Sequence, residues 1–149
     1  MSHDDAVTEI EAQVALLLRL ADRNRRASDR LNVTLERSAY LVLRLLDTTG
    51  PVGINAIADH LRLDASTITR QVLAMEAAGL VTRERDPRDG RRAVVTETPA
   101  GVEALARTRV ARAEVYNDVL TGWSTTDREL LAHLLTRLND DLDAHAGRS

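Results

Sequence analysis

Apolar side chains recur along this chain with two different periods. Over roughly 5–29 the positions Val7, Ile10, Val14, Leu17, Leu18 and Ala21 follow the 3.6-residue repeat of an amphipathic helix. The opposite face carries Asp4, Glu11, Arg19, Arg23 and Arg26. A helix of this length at the start of a small chain needs a partner to cover its stripe. Thr34 is placed as the N-cap of a second helix running to about Asp47. In it Leu35, Ala39, Leu41, Val42, Leu43, Leu45 and Leu46 are apolar on nearly all sides, which predicts the most buried helix. Thr49-Gly50-Pro51 stops it.

A short helix follows over Ile54 to about Leu61, with Ile54, Ile57, Ala58 and Leu61 on one side. Arg62-Leu63-Asp64 reads as a tight turn whose Asp64 caps the next helix, Ala65 to Ala78. Ile68, Val72 and Met75 point inward there, and Gly79 closes it. The period then changes. Leu80-Val81-Thr82-Arg83 and Ala93-Val94-Val95-Thr96 are β-branched runs flanking Asp86-Pro87-Arg88-Asp89-Gly90, which predicts a hairpin with a charged tip. Thr98 and Pro99 start a helix to about Thr121. Gly122 breaks it, and Ser124-Thr125-Thr126-Asp127 opens a last helix to about His145. Leu130, Leu131, Leu134, Leu135, Leu138 and Leu142 form its stripe, and residues 146–149 are expected to fray. No internal repeat or low-complexity linker interrupts this order. The fold class is mainly α with a small β-hairpin.

Composition narrows the chemistry. The 149 residues are 44% hydrophobic and 29% charged, as in an ordinary globular chain. The aromatics are Trp123, Tyr40 and Tyr116, so the core is built from Leu, Val, Ile and Ala. The absence of Cys excludes disulfides and thiolate metal sites. The acidic start Met1-Ser2-His3-Asp4-Asp5 lacks a long apolar run, so no signal peptide is expected there, and no run approaches the ~18 apolar residues of a membrane span. A cytoplasmic location with no membrane partner is expected. All twenty Lys-plus-Arg positions are Arg. Arg is suited to phosphates and base edges, although genomic codon bias produces the same pattern. Net charge is -3, which by itself argues against nucleic acid. Its distribution argues otherwise: Arg83 to Arg92 carries a local +2, leaving -5 on the remainder. A basic projection on an acidic body binds DNA locally and discourages indiscriminate adhesion.

Helix, tight turn, helix and hairpin in that order predict a helix-turn-helix followed by a wing. The second helix of such a unit enters the major groove. Ser66, Thr67, Thr69, Arg70 and Gln71 supply short polar and cationic side chains near its start. Arg70 suits a guanine edge or a phosphate, and the helix N-terminus offers amides to phosphate oxygens. An Arg-bearing hairpin suits the narrow minor groove.

The segments Asp64-Ala-Ser-Thr-Ile-Thr-Arg-Gln-Val, Met75-Glu-Ala-Ala-Gly-Leu-Val with Arg83, Asp86-Pro-Arg-Asp-Gly-Arg91 and Thr98-Pro-Ala-Gly101 resemble the MarR family of winged helix-turn-helix regulators. Met75 stands where Leu is usual, and Arg92 where small residues are common. The resemblance covers nearly the whole chain; its wing motif is fairly specific and its terminal helices are not. It implies one domain over 1–149, with dimerisation helices at 1–30 and 99–149 and a winged lobe at 34–98. It also implies a homodimer reading a pseudo-palindromic double-stranded DNA operator, acting as a repressor released by a small-molecule effector. The DNA-contacting residues it implies are Ser66, Thr67, Thr69 and Arg70 on the recognition helix, and Arg88, Arg91 and Arg92 on the wing. Asp86 and Asp89 are then organisers of the wing. Family members often take a small aromatic or phenolic effector; Tyr40, Tyr116 and Trp123 with Arg19 or Arg23 are the side chains available for one, although a rare aromatic in a helical protein more often packs in the core, and they are not counted as a site.

Other classes find little support. His3, His60, His133 and His145 include no i, i+4 pair, so no metal is expected. No phosphate loop, nucleophile elbow or catalytic spacing is present, so neither an enzyme nor a cofactor is expected. The alternative from another class is a winged-helix protein-protein interaction module without DNA binding. The cationic helix start and the cationic hairpin together discriminate against it.

Overall fold

The computed structural model describes residues 1–27 and 35–148. Within them the chain forms two compact units, one comprising the first helix and the other beginning at Leu35. Helix α1 spans His3–Ala27. Val7, Ile10, Leu17 and Leu18 on it are each about half exposed. The Thr34 cap and the last residues expected of the first helix lie outside the described residues.

The second unit is built around α2, Arg37–Thr49. Its entry residue Glu36 makes no side-chain capping bond. Its exit residue Gly50 has φ +76°, a left-handed turn that side chains resist and glycine accepts. Ala39, Val42, Leu43 and Leu46 are buried, as the near-continuous apolar pattern requires. Around them pack Ile57 and Ala58 of α3 (Ile54–Leu61), Ile68, Val72 and Met75 of α4 (Ala65–Ala77), and Leu105 of α5 (Pro99–Val119). Each large aliphatic so buried contributes about 1.5–3 kcal/mol.

The hairpin consists of β2, Val81–Arg85, and β3, Ala93–Glu97, paired antiparallel with Val81 opposite Glu97 and Arg85 opposite Ala93. Val81 and Val95 turn into the core. A strand absent from the sequence reading, β1 (Val52–Gly53), adds to the free edge of β3, giving the order β1-β3-β2. Two residues are too few to show a period, so β1 is invisible in the pattern.

Thr98 joins sheet to helix. Its side-chain oxygen accepts the Gly101 amide at 3.1 Å and its hydroxyl donates to the Gly79 carbonyl at 2.6 Å. Pro99 at the first helical position completes the start of α5. Helix α6, Thr125–Ala146, is capped by Ser124, which accepts the Asp127 amide at 3.1 Å. No described residue of α6 is buried. Arg62, in the turn after α3, meets it with Nε 3.2 Å from the Asp143 carboxylate.

Candidate nucleic-acid interface

The turn between α3 and α4 is set by Arg62, which has φ 55°, the one positive value at a non-glycine residue among those described. Asp64 then takes an extended conformation and caps α4. Its carboxylate accepts the Thr67 amide at 3.0 Å, the Thr67 hydroxyl at 2.7 Å and the Ser66 hydroxyl. These donors hold the Asp64 carboxyl well below the usual carboxylate range, with the Ser66 bond first among the causes. One expectation is thereby corrected. The Thr67 amide is not open to a phosphate, because Asp64 already accepts from it and places a negative charge at the positive end of the helix.

Burial of Ile68, Val72 and Met75 fixes the rotation of α4. At about 100° per residue, Ser66 and Arg70 then face outward, with Thr67 and Thr69 on the flanks. The Thr69 hydroxyl donates back to the Ala65 carbonyl at 2.8 Å. All three hydroxyls therefore shape the helix start. Arg70 is exposed, and its guanidinium makes no hydrogen bond or ion pair among the described residues. Gln71, grouped with the contact residues by sequence, turns the other way: its side-chain oxygen accepts the Ser38 hydroxyl at 2.9 Å and braces α4 on α2.

The hairpin tip is organised by two aspartates. Asp86 accepts the Arg88 amide at 2.9 Å, and its own amide donates to the Arg92 carbonyl at 2.9 Å. Asp89 accepts the Arg91 amide at 3.1 Å, and the Arg92 amide donates to the Asp89 carbonyl at 3.0 Å. This is the organising role assigned to Asp86 and Asp89 from sequence. Arg92 also lies against Asp89, with Nε 3.7 Å from the carboxylate. The side chains of Arg88 and Arg91 are exposed and carry no ion pair among the described residues. Arg91 and Arg92 border a cleft shared with Gly53, Ile54 and Asn55 at the start of α3.

Sequence reasoning missed what joins helix to wing. Arg83 of β2 donates to Glu76 of α4 through Nε at 3.2 Å to each carboxylate oxygen and through Nη2 at 3.0 Å. The carboxylate lowers its pKa and the guanidinium raises its own, chiefly through this hydrogen bonding. The signal was a Glu and an Arg seven positions apart across the Gly79 turn, too ordinary a pair to stand out.

Of the side chains considered for an effector, Tyr40 lies under the Arg112 guanidinium, 4.2 Å from ring centroid to carbon. Tyr116 and Trp123 are 53% and 45% exposed. No group of three or more His, Asp or Glu able to hold a metal occurs among the described residues. None of the described helices is long and apolar enough to cross a membrane.

A core of helices on which a helix-turn-helix and a three-stranded hairpin sheet are mounted defines a winged helix-turn-helix protein. The MarR family model matches residues 35–93, from the entry of α2 to the start of β3. The HTH-type transcriptional regulator YxaD of Bacillus subtilis is 37% identical over 139 residues, covering 93% of this chain and 96% of the relative. The HTH-type transcriptional repressor IacR of Pseudomonas putida is 28% identical over 138 residues, covering 89% and 83%. The fold matches a MarR family protein from Bacillus stearothermophilus with a TM-score of 0.79, at 20% identity over 95% of this chain and 99% of that one. The chain belongs to the MarR family of DNA-binding transcriptional regulators.

Proposed function

We propose that this regulator is a cytoplasmic homodimeric repressor. Arg70 of each α4 enters the major groove of a pseudo-palindromic operator, and Arg88, Arg91 and Arg92 of each wing reach the adjacent minor groove. Ser66, Thr67 and Thr69 lie at the same helix start; to reach the backbone phosphates their hydroxyls exchange the bonds to Asp64 and Ala65 for bonds to phosphate oxygens. The observation that carries this reading is the pair of cationic elements: the unpaired Arg70 on α4 and the unpaired Arg88 and Arg91 on a wing bound to α4 by Arg83 and Glu76. The repressor assignment draws on the similarity to IacR.

Dimerisation is supported by uncovered leucines. Leu130, Leu134 and Leu142 on α6 are 53%, 48% and 54% exposed, and Val7 and Ile10 on α1 are comparable. Contiguous apolar faces of this kind mark interfaces. A two-fold pair would place half-sites about 10 base pairs apart. A small aromatic or phenolic acid, held beside the exposed Tyr116 and Trp123, would release the DNA by favouring one spacing of the two recognition helices.

Fluorescence anisotropy with a duplex spanning the region upstream of its own gene, read across salt concentrations, tests the reading. Specific, salt-dependent binding that Arg70→Ala weakens by about 1–3 kcal/mol is expected. No binding even in dilute buffer overturns it. Light scattering of wild type and of a Leu130→Asp, Leu134→Asp variant tests the dimer. Calorimetry with salicylate, with and without the duplex, tests the effector.

A further inference from the structure

We infer that Leu73 is a specificity residue that reads the 5-methyl group of a thymine in the operator. The inference rests on the DNA-binding mode proposed above and adds a base preference to it. Burial of Ile68, Val72 and Met75 leaves one outward row on α4, made of Ser66, Arg70, Leu73 and Ala77. Leu73 is the large apolar side chain on that row. It is 43% exposed, while its neighbour Val72 is fully buried.

A single exposed leucine on a protein surface needs no explanation. This one stands seven residues, about two turns, beyond Ser66 and three residues past Arg70, on the row that faces the groove. Ala77 beyond it on the row and Ala74 beside it are exposed and short, so neither holds this part of the helix away from a base edge. The floor of the major groove offers donors and acceptors at every base pair, and one apolar group, the thymine methyl. A leucine over any other base edge desolvates polar atoms without supplying a partner. Over thymine it buries the methyl against carbon.

The spacing sharpens the inference. Three helical residues rise about 4.5 Å, a little more than one base-pair step of about 3.4 Å. The thymine therefore lies within about two base pairs of the pair contacted by Arg70, once in each half-site.

The test uses a duplex selected from a random pool by the wild-type protein, together with copies in which each thymine is singly replaced by uracil. Uracil keeps the pairing and removes the methyl. One position per half-site, within about two base pairs of the position relaxed by Arg70→Ala, is expected to lose about three- to tenfold in wild-type affinity on substitution. Leu73→Ala is expected to bind the thymine and uracil copies equally at that position. Because Leu73 is exposed, the variant should keep its melting temperature. Wild-type indifference to uracil at every position, or full thymine preference retained by Leu73→Ala, overturns the inference while leaving the DNA-binding reading intact. A pool that yields no bound duplex overturns both.

Discussion

Arg83 grips Glu76 with a forked contact, Nε at 3.2 Å from both carboxylate oxygens and Nη2 at 3.0 Å from one. The two residues belong to different elements, β2 and α4, so the pair sets how the wing stands relative to the recognition helix. Both side chains are about one-third exposed, so their worth to overall stability is small. Their worth to DNA binding is positional, since a rigid pair of elements docks with less ordering cost. Glu76→Gln should leave the melting temperature nearly unchanged and lower operator affinity several-fold. Arg83→Lys should not restore it, because an ammonium lacks the planar fork. Anisotropy titrations beside thermal melts check this; an equal loss in both measurements would count against a positional role.

The Asp64 cap carries a pH signature. Its carboxyl is held well below its ordinary value by the Ser66 and Thr67 donors. A group whose folded pKa lies below its unfolded value of about 3.9 stabilises the fold fully above that value. The contribution is lost as pH falls through the lowered folded pKa. Wild type should therefore exceed Asp64→Ala in melting temperature by a constant margin between about pH 5 and 7, and the margin should shrink below about pH 4. Asp64→Ser, which still caps, should recover most of the stability without the acid dependence. Melts of the three proteins across this range check it.

Gly101 is required by packing. It is buried in the first turn of α5, where a Cβ would overlap the Leu80 carbonyl oxygen and press on Leu43. A backbone oxygen cannot swing aside as a side chain does. Gly101→Ala should destabilise the lobe by about 1–3 kcal/mol, although alanine is the better helix former. Gly90 in the wing has open space at its Cβ and no positive φ, so Gly90→Ala should be close to neutral. Chemical denaturation of both variants makes the comparison; a stable Gly101→Ala protein would mean that α5 can shift at little cost.

Much of this was legible in the chain. Period located the six helices and the hairpin found among the described residues, and caps fixed the starts of three helices, because Asp64, Thr98 and Ser124 each stand one residue before a periodic run. What escaped was whatever depends on contacts remote in sequence. The strand Val52–Gly53 exists because the edge of β3 is there to pair with it. Gln71 looked like a base contact because composition gives no rotation to a helix; the burial of Ile68, Val72 and Met75 does. Ser66, Thr67 and Thr69 were legible as residues at the helix start. That their hydroxyls are engaged by Asp64 and Ala65 was not.

The wing separates its arginines by what holds them. Arg91 is exposed with its side chain unpaired among the described residues, whereas Arg92 shares Asp89 at 3.7 Å. Asp89 also fixes the turn by accepting the Arg91 amide at 3.1 Å. Arg91→Ala should cost about 1–3 kcal/mol of operator binding and flatten the salt slope by about one unit if the contact is a phosphate. Arg92→Ala should cost less, because binding through Arg92 must first give up part of its attraction to Asp89. Asp89→Asn keeps an acceptor for the Arg91 amide and removes the charge that restrains Arg92. It should therefore raise affinity and steepen the salt slope, whereas Asp89→Ala, which also loosens the turn, should gain less. Titrating the four variants over a range of salt concentrations gives the order, and an Arg92→Ala loss exceeding that of Arg91→Ala would reverse the assignment.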